Sequence, residues 1–130
     1  MRFFFYCLVF LFVTPFLFLQ AQNSHTYIGA ESCVMCHKTE KQGNQLSIWQ
    51  NSRHSKAFET LKTEKANQIA KEKGFLKPAA ETWECLKCHV TGYNLDASLL
   101  GKKFKIEDGV QCETCHGPGS DYKDMKVMKD

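Results

Sequence analysis

Residues 109–122 read GVQCETCHGPGSDY. Two thiols and an imidazole, Cys112, Cys115 and His116, fall within five consecutive positions, and a Gly-Pro-Gly that cannot continue a helix follows at once. The same spacing occurs twice earlier, as CVMCH at residues 33–37 and CLKCH at residues 85–89. Any fold of this chain has to serve all three copies.

C-x-x-C-H is the attachment signature of c-type haem. Each thiol adds to one vinyl group of the porphyrin, so both sulfurs must lie along one edge of the macrocycle. Two intervening residues set them about one helical turn apart. The histidine after the second cysteine brings its imidazole under the ring as proximal iron ligand. A single copy is also compatible with half a zinc site, a redox-active thiol pair or a disulfide. Three copies change the balance, because six thiols and three histidines do not divide into four-ligand sites. The sequence therefore predicts three covalent haem c groups. They are tethered by Cys33 and Cys36, Cys85 and Cys88, and Cys112 and Cys115, with His37, His89 and His116 as proximal ligands. On this reading the turn at residues 117–119 stops the third attachment helix so that the chain leaves without covering the porphyrin.

The other end of the chain speaks to location. Residues 1–21, MRFFFYCLVFLFVTPFLFLQA, join one early positive charge to an apolar run and end on a small residue. That is the pattern of a secretory signal peptide. An uncleaved anchor is the alternative, because a span needs roughly 17–25 apolar residues. A lipid attached at Cys7 fits less well, since few apolar residues precede it. Export to the periplasm is expected, with residues 22–130 as one small triheme domain. Removing the leader also removes Cys7, so every remaining cysteine belongs to a C-x-x-C-H motif. Lys and Arg number 17 against 14 Asp and Glu over the whole chain. With no block of one sign, neither nucleic acid nor a membrane surface is indicated as partner. A domain this small has a marginal protein-only core, and haem is the expected filling.

Residues 39–73 are rich in helix formers, and Gly74 follows as a C-terminal stop. Leu46, His54, Ala57, Phe58 and Leu61 fall on one face at helical spacing, with a bend expected near residues 52–55 and a start delayed by Gly43. Residues 62–73 read as a solvent-facing helix with Ala66, Ile69 and Ala70 inward. Residues 90–111 read as turns around a short extended piece, at most a small hairpin, with Phe104 and Ile106 inward. The fold class expected is mainly α, with short helices and attachment turns packed around three haems and little regular sheet. Trp49, Phe58, Trp83, Tyr93 and Phe104 are the aromatic side chains expected against them.

Three irons offer six axial positions. Beyond the motif histidines the sequence holds only His25 and His54, both candidate iron ligands. His54 lies between Trp49 and Phe58 on the apolar face, where a buried imidazole needs a partner. His25 is close to the mature N-terminus. Met125 and Met128 could also reach an iron through sulfur.

Three stretches carry a resemblance: WQNSRHSKAF at residues 49–58, CLKCHVTGY at 85–93 and GVQCETCHGPG at 109–119. They resemble the multihaem c-type cytochrome family of the tetrahaem cytochrome c of ammonia-oxidising bacteria, the electron acceptor of hydroxylamine oxidoreductase. The likeness runs from about Tyr27 to Tyr122, in the order of that family's first three haems. It implies that His54 is the distal ligand opposite His116, that the His89 haem is five-coordinate with an open face, and that the His37 haem stacks on the third. The family's distal histidine for that first haem lies just past Gly-Pro-Gly. Here SDYKDMKVMKD follows instead, so His25, Met125 and Met128 compete for the position.

The expected function is electron transfer between redox partner proteins. The alternative is a small redox enzyme acting on a nitrogen oxide, hydroxylamine or peroxide at an open His89 haem. No histidine is spare there as an acid–base partner, and Glu84 and Lys87 read as solvated. No catalytic residue is assigned.

Overall fold

The computed structural model describes residues 25–129. The expected leader at residues 1–21, with Cys7, lies outside the described residues. The chain is mainly α, as its composition predicts. Among the described residues seven short helices run in order: α1 Ala30–Val34, α2 Gln45–Gln50, α3 Ala57–Leu61, α4 Glu64–Glu72, α5 Trp83–His89, α6 Glu113–His116 and α7 Met125–Met128. Among the described residues there is no strand, only one isolated parallel bridge between Tyr27 and Leu100. No helix among them is long and apolar enough to cross a membrane.

The long helical stretch expected at residues 39–73 is divided into α2, α3 and α4, and the bend is a full break at residues 51–56. The cause is local. Asn51 donates from Nδ2 to the Ser47 carbonyl (2.8 Å), Ser52 Oγ to Trp49 (2.7 Å) and Ser55 Oγ to Gln50 (3.0 Å). These side chains occupy the last carbonyls of α2 in place of a continuing backbone ladder. The break falls inside the expected apolar face, so Leu46 and His54 do not share one helical stripe with Phe58 and Leu61. Gly43, left-handed at φ 80°, closes a 3-10 turn at Glu40–Gln42 and holds back the start of α2. α4 has an ordinary beginning and end: Thr63 Oγ1 accepts from the Ala66 amide (3.2 Å), Glu64 sits in the first turn and Lys71 in the last. Ala70 is buried and Ala66 half-buried, while Ile69, expected inward, is exposed.

The apolar core lies to one side. Phe58 and Leu61 of α3, Ala70 of α4, Ala79 and Val90 are buried together, with Leu86, Cys85, Phe75, Tyr93 and Ile106 packed on them. The second C-x-x-C-H motif, carried entirely by α5, rests on this cluster. Residues 90–111 form 3-10 turns at Ala97–Leu99 and Ile106–Asp108 rather than a hairpin. Their extended piece pairs with the N-terminal segment: Tyr27 N–H donates to Leu99 (2.8 Å) and Gly101 N–H to Tyr27 (2.8 Å). Phe104 meets Tyr27 edge to face, ring centroids 6.5 Å apart.

The other side has polar fastenings in place of an apolar core. Glu113, 1% exposed, accepts from the amides of Ile28 (2.8 Å), Gly29 (2.7 Å) and Gly119 (2.7 Å). Gln111, also buried, accepts from the Ala30 amide (2.8 Å), donates to the Lys105 carbonyl (2.8 Å) and gives its own N–H to Thr91 Oγ1 (2.8 Å). The free N–H groups at the start of α1 are thus satisfied by residues more than eighty positions away. This network holds the first motif against the third.

Candidate haem-binding site

Each motif is a single helical turn. In the first, the amides of Cys36 (3.2 Å) and His37 (3.1 Å) donate to the Cys33 carbonyl; in the third, those of Cys115 (3.2 Å) and His116 (3.1 Å) donate to Cys112. In the second, the whole motif lies within α5. The first cysteine is half-buried and the second exposed in all three, and none of the six forms a disulfide. A repeated turn with its outer thiol free and its inner thiol against protein suits a flat group bound along one edge. Among the described residues no three His, Cys, Asp or Glu side chains are grouped to hold a metal ion by themselves.

The first and third motifs open on one cavity of about 540 Å³. Cys33 and His37 of the first motif line it together with Cys112, Cys115 and His116 of the third, and Ile48, Trp49, Val110 and Tyr122 complete the wall. The Cys33 and Cys112 thiols are neighbours, and their interaction brings Cys112 down to about 7 and, with burial, pushes Cys33 up. Burial first, then the acidic groups nearby, Glu113 among them, push the Tyr122 phenol up to about 12. Its hydroxyl donates to the Gly117 carbonyl (3.1 Å).

His54 lines the same cavity as His116. Its backbone is fixed there by the third motif: Val110 N–H donates to the His54 carbonyl (3.0 Å), and Trp49 Nε1 donates to the Val110 carbonyl (2.8 Å). Gly109 makes this approach possible. At φ 70° a Cβ would stand 2.6 Å from the His54 oxygen, closer than any side chain tolerates. The His54 side chain is exposed to the cavity rather than buried on a helical face, because the break at residues 51–56 turns it out of the core. Gly119 has a comparable role after the ligand, since a Cβ there would meet Ile28 at 2.6 Å and Glu113 at 2.9 Å.

The second motif stands apart. His89 Nδ1 lies 2.8 Å from the Ala57 carbonyl, a contact that requires the proton on Nδ1 and leaves the Nε2 lone pair free for a metal. A second cavity, about 460 Å³, adjoins Cys88 and His89 and is lined by Arg53, His54, Lys56 and Thr60. Lys87 lies over the exposed Trp83 ring, 5.7 Å from its centroid.

The remaining candidates separate. His25 is exposed, and its Nδ1 lies 2.8 Å from Asp121 Oδ1, a contact that holds the Asp121 carboxyl below its ordinary range. It is not among the residues that line either cavity, and neither is Met125. Met128 lines the larger one with Cys33 and His37. Of the aromatic side chains, Trp49 lines that cavity and Phe58 and Tyr93 belong to the apolar cluster. Glu113 and Gln111 gave no sign in the sequence. Glu113 occupies a spacer position of C-x-x-C-H, and most of its partners are distant in the chain.

The residues present fit c-type haem: paired thiols on helical turns, an imidazole with its outer nitrogen free, and an apolar cavity joining two motifs and a further histidine. The family model described as "Cytochrome c554 and c-prime" matches residues 32–117. Cytochrome c-554 of Nitrosomonas europaea is 34% identical over 99 residues, covering 73% of this chain and 40% of that protein. The chain thus spans less than half the length of that relative. No solved structure matches the chain.

Proposed function

The chain belongs to the cytochrome c554 and c-prime family, and from that premise we propose that it is a periplasmic electron carrier with three covalent haem c groups. Residues 1–21 direct export, and residues 22–130 form the haem-bearing domain. Membership of the family implies c-type haem. The count of three rests on three motifs with the same turn and the same pattern of thiol exposure. The observation that carries the reading is the shared cavity, where the first motif, the third motif and His54 converge.

When bound, haem supplies a one-electron change between Fe(II) and Fe(III). The residues set the conditions for it. His37, His89 and His116 would hold the iron, and the Ala57 carbonyl orients His89. His54 would supply a second imidazole in the cavity that His116 lines, its backbone held by Val110. Two imidazoles keep the same geometry in both oxidation states, which favours transfer over chemistry at the iron. One cavity for two motifs supports close packing of their haems and rapid exchange between them. Redox partner proteins supply and remove the electrons.

Pyridine haemochrome titration with intact mass on the purified mature protein tests this. Three haems per chain and a mass raised by three are expected; a colourless product of bare polypeptide mass would overturn the proposal. A second reading draws on the cavity beside His89. Arg53 and Lys56 there are suited to a small anionic or polar ligand at an open iron face, which would make the protein a small redox enzyme. Carbon monoxide binding at one haem and a high-spin ferric signal would favour it; a wholly low-spin, unreactive protein would exclude it.

A further inference from the structure

The larger cavity serves two motifs, and two irons have four axial positions between them. His37 and His116 take two as proximal ligands, and His54 takes a third. Among the other lining residues, a fourth must carry a free lone pair on a side chain that reaches the space beside Cys33 and His37. Tyr122 is committed elsewhere, donating its hydroxyl to Gly117 (3.1 Å). Cys33, Cys112 and Cys115 are the tethering thiols. Met128 remains.

The chain after the third motif is folded back to bring it there. The turn at Gly119–Asp121 closes through Lys123 N–H to the Gly119 carbonyl (2.9 Å). Asp124 then caps α7, its carboxylate accepting from the Lys126 amide (2.9 Å), and the Met128 amide donates to the Asp124 carbonyl (2.9 Å). Met128 joins Cys33 and His37 in lining the cavity, whereas Met125, one turn earlier, does not. His25 is held towards Asp121, away from the cavity lining.

We propose that Met128 Sδ is the sixth ligand of the haem tethered by Cys33 and Cys36 and held proximally by His37. The inference rests on the triheme reading above. The thioether gives a lone pair to iron and releases no proton, so ligation at this haem is insensitive to mild acid. It also divides the potentials. A His/Met haem lies above a bis-histidine one, so of the two haems in the cavity the His37 haem is reduced first.

The test uses the mature, haem-loaded chain and two signatures of axial methionine. These are the sulfur-to-iron charge-transfer band of the ferric protein and the strongly upfield methyl resonance of the reduced protein. Both are expected in the unaltered chain, lost entirely in Met128→Ala and retained in Met125→Ala. Met128→His should abolish both, keep the haem low-spin and lower its potential. Haem-loaded protein without the signatures, or with signatures that survive Met128→Ala, would overturn the methionine ligand and leave the triheme proposal standing. A chain that carries no haem would overturn both.

Discussion

Gly109 and Glu113 flank the first cysteine of the third motif, and each is set by contacts that only the folded chain supplies. Gly109 lets the His54 carbonyl approach within hydrogen-bonding reach of Val110. Gly109→Ala adds a Cβ at 2.6 Å from that oxygen at φ 70°. It should cost about 2 kcal/mol or more and displace His54. Denaturant unfolding measures the first effect, and conversion of one haem from low to high spin the second. Glu113 holds three amides, two of them buried, with one carboxylate. Glu113→Ala strands them at a cost on the order of 3 kcal/mol or more, and a shift of the unfolding midpoint with haem content unchanged is the expected result. The repeated spacing of the thiols and His116 stands out in the sequence alone. Gly109 and Glu113 do not, because a spacer position and an ordinary turn glycine look alike whatever they touch.

At the scale of elements, short helices do the positioning and small polar side chains decide where they stop. The break between α2 and α3 is made by Asn51, Ser52 and Ser55, residues whose capping habit is visible in the sequence. Its completeness was not visible, since helical periodicity runs across it. This break takes His54 off the expected helical face and into the cavity. α4 is a different case, a surface helix with its own cap. Thr63→Ala removes the acceptor for the Ala66 amide and should lower stability by about 1 kcal/mol, with haem spectra unaltered. A spectral change would mean that α4 supports the second motif through the apolar cluster they share.

For the whole molecule, the protein supplies one small apolar cluster and leaves the region between the first and third motifs to a cavity. Among the described residues the buried hydrophobic side chains are Ala30, Phe58, Leu61, Ala70, Ala79 and Val90, three of them alanines. That is too little apolar burial for a stable domain of this size without a further staple. A chain with all six motif cysteines changed to serine should therefore lose cooperative thermal unfolding and bind a hydrophobic dye. A sharp melting transition in that variant would show that the polypeptide sustains the fold unaided.

The sequence by itself determined where the paired thiols and their adjacent imidazoles stand, that the chain is mainly α, and that it resembles c-type cytochromes. Those properties depend on local spacing, which a helical turn preserves wherever it is placed. Only the tertiary structure decided which motifs share a cavity, that His54 and Met128 reach it while His25 is held at Asp121, and that a buried carboxylate joins residues 28–29 to the third motif. Such pairings join residues many turns apart. They follow from how the helices are turned and fastened, and no local pattern carries that information.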